Sequence, residues 1–233
     1  MTALLWGALA AASLILGAVL ATLRSWSDGF VGAVLAFGAG ALIASLSFEL
    51  AEEGVSIGGA LPVALGLAAG ALAFFGGDRL IEARGGRKRS NGAGLALAGG
   101  ALLDGIPEQA VLGIGLSQGQ GVSLALLVAI FVSNLPEAIG SSSDMLSGGE
   151  SRRSVLRLWL GVSVVCALAT GAGALLADLA SESLRAGIDG FAAGALLTML
   201  IDSMAPEARK KAHDYAGLCT VVGFAVAAGL SLT

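Results

Sequence analysis

The chain has 233 residues, of which 56% are hydrophobic and 13% charged, with 36 glycines and a formal net charge of −4; its mean hydropathy is +0.86. Soluble domains carry about twice that charged fraction, so the composition excludes a soluble enzyme or nucleic-acid-binding module, and the lack of apolar–polar alternation excludes a membrane β-barrel. What remains is a polytopic helical membrane protein, whose partner is the lipid bilayer.

Cutting the chain at charged or Gly-rich punctuation predicts eight transmembrane helices, over residues 2–23, 29–50, 57–81, 93–117, 121–146, 155–177, 186–206 and 213–232. Each approaches the roughly 20 residues that cross a hydrocarbon core. The first span has no basic leader and is followed by Arg24, so it is expected to be a retained helix and not a cleaved signal peptide, with the mature chain starting near Met1. In the third span, Gly66-Leu67-Ala68-Ala69-Gly70 places small residues four apart, which lets helix backbones approach closely. Cys166 and Cys219 fall within the sixth and eighth spans without a CxxC pair, which argues against a disulfide or a thiolate zinc site. Cys166 could approach the fourth and fifth helices, but a small buried cysteine is the commoner explanation.

Positive charge orients the spans. Arg24 lies in the first connection, Arg84, Arg87, Lys88 and Arg89 in the third, Arg152, Arg153 and Arg157 around the fifth, and Arg209, Lys210 and Lys211 in the seventh. The even connections hold only Arg185, while Arg79 sits near a helix end. The positive-inside rule therefore places the odd connections in the cytoplasm and both termini outside. Topology accounts for the basic run of the third connection, so no nucleic-acid partner is expected.

A weak internal symmetry fits this layout. A shift of 154 positions superposes Phe37-Gly38-Ala39-Gly40-Ala41-Leu42 on Phe191-Ala192-Ala193-Gly194-Ala195-Leu196, and Glu53 on Glu207. A shift of 29 superposes Pro107 and Glu108 on Pro136 and Glu137. Helices two and seven run oppositely through the membrane, as do four and five. The expected fold is an all-α membrane protein, a single transmembrane transport domain over residues 1–233, with helices 1–3 and 6–8 forming an inverted repeat around a central pair of proline-kinked helices 4 and 5.

That central pair carries the chemistry. The fourth span contains Leu102-Leu103-Asp104-Gly105-Ile106-Pro107-Glu108-Gln109 and the fifth Val132-Ser133-Asn134-Leu135-Pro136-Glu137-Ala138. A carboxylate at mid-bilayer costs roughly 2.5–3.5 kcal/mol on insertion scales and normally faces a cavity. Proline lacks an N–H and clashes one turn back, so Pro107 should free the carbonyl of Leu103 and Pro136 that of Val132. Asp104 and Glu108 share one helix face, while Ser133, Asn134, Glu137, Ser141 and Asp144 form a stripe down the other helix. Together they would build an oxygen-lined site suited to a divalent metal ion. The alternative, that proline only kinks the helices while the acids pair with bases, lacks a Lys or Arg in the middle of any span. Further acids flank both ends of a path: Glu49, Glu52 and Glu53 outside, Asp202 and Glu207 inside.

The two segments resemble the fourth and fifth helices of the ZIP (Zrt/Irt-like protein) family of divalent metal transporters, whose fourth helix typically reads His-Asn-x-Pro-Glu-Gly. The eight-helix count, the outside termini and the third connection as main cytoplasmic loop are similar too. The resemblance implies a substrate of the Zn²⁺, Fe²⁺ or Mn²⁺ class moved into the cytoplasm, held between helices 2, 4, 5 and 7. It also implies a homodimer and an elevator-like movement. Glu108 and Glu137 match the family's two metal-binding glutamates, Asp104 stands where the histidine usually stands, Gly105 where the asparagine does, and Ser133 and Asn134 replace the polar pair of the fifth helix. With only His213, at the start of the last helix, the chain lacks the family's histidines. An all-oxygen site tilts the choice towards Mn²⁺ or Fe²⁺, with Zn²⁺ still open.

The expected metal ligands are thus Asp104, Glu108, Ser133, Asn134 and Glu137, with Glu49, Glu53, Ser141, Asp144, Asp202 and Glu207 along the pathway. No cofactor is expected beyond the transported ion. An intramembrane protease would need a Gly-x-Gly-Asp arrangement or a mid-membrane histidine, and neither is found, so the protein is not expected to be an enzyme. A carrier for a small organic cation or amino acid would use the same acids, but would call for an aromatic lining where the two helices offer only Phe131. Short loops and compact length look prokaryotic, which would place the protein in the inner (plasma) membrane.

Overall fold

The computed structural model describes residues 2–83, 93–117 and 123–231. The basic residues Arg84, Arg87, Lys88 and Arg89 lie outside them. Among the described residues every regular element is helical, as the composition requires of backbone in lipid, where each N–H and C=O must be satisfied within its own segment.

Helix α1 spans Thr2–Leu23. Helix α2 (Asp28–Ser45) runs through a π-helical turn, Leu46–Ala51, into α3 (Glu52–Gly58). Gly59, at φ 87°, breaks the run where a side chain would be strained. The second helical run therefore extends well past residue 50, and the third, α4 (Ala60–Ala83), begins later than expected. Helix α5 is Ala93–Ser117, α6 Leu124–Ser147 and α7 Arg152–Leu179. Helix α8 (Glu182–Met199) passes through a second π-helical turn, Leu200–Met204, into α9 (Ala205–Ala212). A 3₁₀ turn at His213–Tyr215, with His213 at φ 50°, leads into α10 (Ala216–Ser231). Ser27, Ser123, Ser151 and Ser181 cap α2, α6, α7 and α8, each accepting the amide three residues on.

Among the described residues, six segments are long and apolar enough to cross a membrane: Thr2–Leu23, Asp28–Gly58, Ala60–Leu80, Leu126–Ser147, Arg152–Ala177 and Glu182–Ser231. The last is 50 residues long and contains the turn at His213. Helix α5 has the length, at 25 residues, but Asp104, Glu108 and Gln109 lower its hydropathy. The outward faces of α4, α7 and α10 expose rows such as Leu61, Leu65 and Leu72, Leu160, Val164 and Leu168, and Leu218, Val221 and Val222. Apolar surface of that extent suits lipid and not water. The protein is a multi-pass membrane protein.

Lipid removes most of the hydrophobic gain from helix association, so close packing has to hold the bundle. Helix α4 lies along α8, α5 along α7, α2 along α10, and α1 and α2 both pack on α6. Glycines make these crossings. Those of α4 and α8 meet backbone to backbone, Gly66 against Gly187 and Gly194 against Leu67, while Gly40 and Gly223 do the same for α2 and α10. One apolar core gathers around α2, α8 and α10, and a second around α1, α6 and α7, where Trp159 is the largest buried side chain.

Candidate functional site

The two proline-carboxylate segments sit inside unbroken helical runs, Pro107 within α5 and Pro136 within α6. Both present polar groups to the interior. Glu108 and Gln109 are 1% and 0% exposed, and Ser133 and Asn134 3% and 2%. Glu137 is half-buried and lies within electrostatic reach of Glu108.

Neighbouring helices fix this geometry from both sides. A Cβ on Gly17 of α1 would stand 2.7 Å from that of Ala138, and one on Gly38 of α2 would stand 2.9 Å from the Cα of Ser133. Two glycines thus let α1 and α2 close on the segment of α6 that bears Asn134 and Glu137. Helix α5 is tied to α7 instead. Thr170 Oγ1 donates to Gln109 Oε1 at 2.6 Å, with both residues fully buried.

The hydrogen-bond ledger at the centre is incomplete. The Ser133 hydroxyl lies 3.1 Å from the Ile130 carbonyl and is also bonded to Glu108; its single proton serves one of them at a time. Among the described residues, Glu108 Oε2, Asn134 Nδ2 and Gln109 Nε2 are buried with no hydrogen-bond partner. Native interiors leave few such groups. Among the described residues, no three His, Cys, Asp or Glu side chains stand close enough together to hold a metal ion. The side chains of Asp104 and Glu49 lie outside the described residues.

The remaining expected residues are more scattered. Ser141 is half-buried and Asp144 exposed near the end of α6, while Ser142 beside them is fully buried with its hydroxyl unpartnered. Glu53 is half-buried on α3, within electrostatic reach of Asp189 on α8. Asp202 is exposed in the second π-helical turn. Glu207 accepts an ion pair from Lys211, 2.9 Å away and one turn on. His213 is exposed in its 3₁₀ turn.

The Gln109–Thr170 pair and Asp189 are not marked by the sequence, whereas Cys166 is. Gln109 and Thr170 form a pair across 61 positions of chain, which no local pattern reveals, although a glutamine beside a mid-span glutamate is itself a flag. Asp189 is 2% exposed with both carboxylate oxygens unpartnered; an acid just inside a predicted span was the available signal. Cys166, read from sequence as a small core residue, is fully buried, and its sulfur lies 2.7 Å from where a Cβ of Gly105 would be.

Long apolar helices enclosing two carboxylates, two carboxamides and a hydroxyl define a multi-pass membrane protein with a polar centre. No family model matches the chain. Over 185 residues it is 30% identical to an Arabidopsis thaliana protein named "Putative zinc transporter", a match covering 75% of this chain and 29% of that relative. The chain thus spans less than a third of the relative's length. The likeness is consistent with membership of the ZIP family, the resemblance carried by the residues around Pro107 and Pro136.

Proposed function

We propose that the protein is a ZIP-type carrier that moves a divalent metal cation into the cytoplasm. Glu108 and Glu137 are the core of its mid-membrane site, and Asp104, Ser133 and Asn134 complete it. The observation that carries this reading is the burial, within two long helices, of Glu108 and Asn134 with polar atoms that no group among the described residues satisfies. Two carboxyl groups sharing such a setting either hold protons or, once ionised, need a nearby positive charge. A transported cation supplies it without a resident Lys or Arg. Likeness to a relative named as a zinc transporter supports Zn²⁺ as cargo, while an oxygen-rich ligand set also admits Mn²⁺ and Fe²⁺.

On this reading the chain crosses the membrane eight times as an inverted repeat, with α8–α9 and α10 as separate crossings and α5 as the fourth. The two π-helical turns, Leu46–Ala51 and Leu200–Met204, begin 154 positions apart, the offset of the sequence repeat. The helix pairs also exchange under it: α4 with α8 becomes α10 with α2, and α5 with α7 becomes α6 with α1. Both features support the repeat. Positive-inside orientation then puts the termini outside, and in a prokaryotic cell the membrane is the inner one. Glu49 and Glu53 would gather cations at one mouth, and Ser141, Asp144, Asp202 and Glu207 would pass them on at the other, by focusing of the local field.

Metal-dependent thermal stabilisation tests the reading. A ligand at 100 times its Kd stabilises the native state by about 2.7 kcal/mol, so Zn²⁺, Cd²⁺ or Mn²⁺ should raise the Tm of the purified protein and a panel of organic amines should not. Glu108→Gln and Glu137→Gln should abolish the shift and transport together. Normal stabilisation and transport in both variants would show the site to be elsewhere.

A further inference from the structure

Cys166 belongs to the apolar core shared by α1, α6 and α7, yet its sulfur also reaches across to α5. It fills the notch left by Gly105 on α5, and Gly105 lies three residues before Glu108, on the same helix face. The thiol is fully buried and within electrostatic reach of both Glu108 and Glu137. Glu108 is 1% exposed, and among the described residues its Oε2 lacks a hydrogen-bond partner. A side chain at position 105 would collide with the sulfur, so the glycine and the cysteine are sterically complementary.

We infer that Cys166 is a metal ligand, adding a sulfur donor from α7 to the oxygen donors of α5 and α6, and that this sulfur makes the site prefer Zn²⁺ and Cd²⁺ over Mn²⁺. The inference rests on the carboxylate site proposed above and deepens it by naming the substrate class. Thiolate is a soft donor, and against an otherwise oxygen ligand set it favours zinc and cadmium far more than manganese. Coordination requires the thiolate, so the S–H bond breaks as the metal–sulfur bond forms and the proton is released to solvent water. As they stand, these three groups are too far apart to hold an ion, so binding requires the cation to draw them together as it screens the two carboxylates. The ligand set then bridges α5, α6 and α7, and the sequence pattern at Pro107 and Pro136 gives no hint of the third helix.

The test uses the full chain in detergent with Cys219→Ser, which leaves Cys166 as the only thiol. Titration with Cd²⁺ should produce an ultraviolet sulfur-to-metal charge-transfer band that saturates together with the binding measured by calorimetry. Added Cd²⁺ or Zn²⁺ should also slow alkylation of Cys166 by at least about tenfold. Cys166→Ser should lose the band and weaken Zn²⁺ binding by about tenfold or more, while shifting Mn²⁺ by less than about threefold. Should Cd²⁺ bind stoichiometrically without the band, with alkylation unslowed, Cys166 is no ligand even though the carboxylate site stands. Glu108→Gln and Glu137→Gln in the same background separate the two ideas, because metal binding that survives in both overturns the carboxylate site itself. The band and the alkylation rate need no Cys166 variant, so poor folding of Cys166→Ser leaves the inference open to refutation.

Discussion

Gln109 shows how much a single buried amide can depend on one partner. Its Oε1 accepts from Thr170 at 2.6 Å, and its Nε2 has no partner. Thr170→Val keeps the shape and removes the donor, leaving the amide oxygen unsatisfied as well, at a cost of about 1–3 kcal/mol. Thermal unfolding in detergent should show that loss as a lowered Tm. Metal stabilisation should persist in Thr170→Val, because the threonine ties α7 to α5 without being a proposed ligand. Loss of metal binding with an unchanged Tm would reverse that assignment and put Thr170 at the ion. Much of this was hidden from sequence because it depends on a contact between distant positions, whereas Glu108 and Glu137 stood out locally as acids beside prolines in apolar spans.

At the scale of the helices, glycine sets how closely neighbours approach. A Cβ on Gly113 of α5 would run into the Thr170 carbonyl, and one on Gly173 of α7 into that of Ala110. Gly113→Leu should therefore force the α5–α7 crossing apart, and overpacking of this kind costs about 1–3 kcal/mol. Gly161, further along α7, has nothing within 4 Å of its hypothetical Cβ. Gly161→Ala should leave stability unchanged or raise it by up to about 1 kcal/mol, as removal of a helix-interior glycine does. Equal Tm values for the two variants would mean that the crossing tolerates separation and that close backbone approach is not what holds α5 to α7. Small-residue spacing in the third span is visible in the sequence, but the helix opposite it is not. Here the partner is α8, through Gly66 against Gly187.

For the molecule as a whole, the proposed topology fixes which connections share a side. Ser147, at the end of α6, and Ser183, in the first turn of α8, are both exposed and stand on opposite sides of α7. In a variant lacking Cys166 and Cys219, Ser183→Cys should react with an impermeant thiol reagent added to intact cells. Ser147→Cys should react only after permeabilisation, because Arg152 and Arg153 mark its connection as cytoplasmic. Identical labelling of both positions would overturn the proposed orientation.

Sequence alone determined the class of this protein, because hydropathy is a sum over residues and a bilayer admits apolar backbone almost only as helix. It also marked Glu108, Asn134 and Glu137, since an isolated acid or amide in an apolar run is conspicuous wherever the chain goes. Helix lengths were less legible. The run from Asp28 continues to Gly58 through a π-helical turn, and the acids Glu49, Glu52 and Glu53 that suggested an end lie in or just after that turn, where helical geometry persists. The tertiary structure decided which helices meet and what fills the space between them. Cys166 against Gly105 and Thr170 on Gln109 are contacts between residues dozens of positions apart, and Asp189 lies within electrostatic reach of Glu53 more than a hundred positions away. Periodicity places a residue on a face of its own helix, but the neighbour across that face is chosen by the packing of the entire bundle.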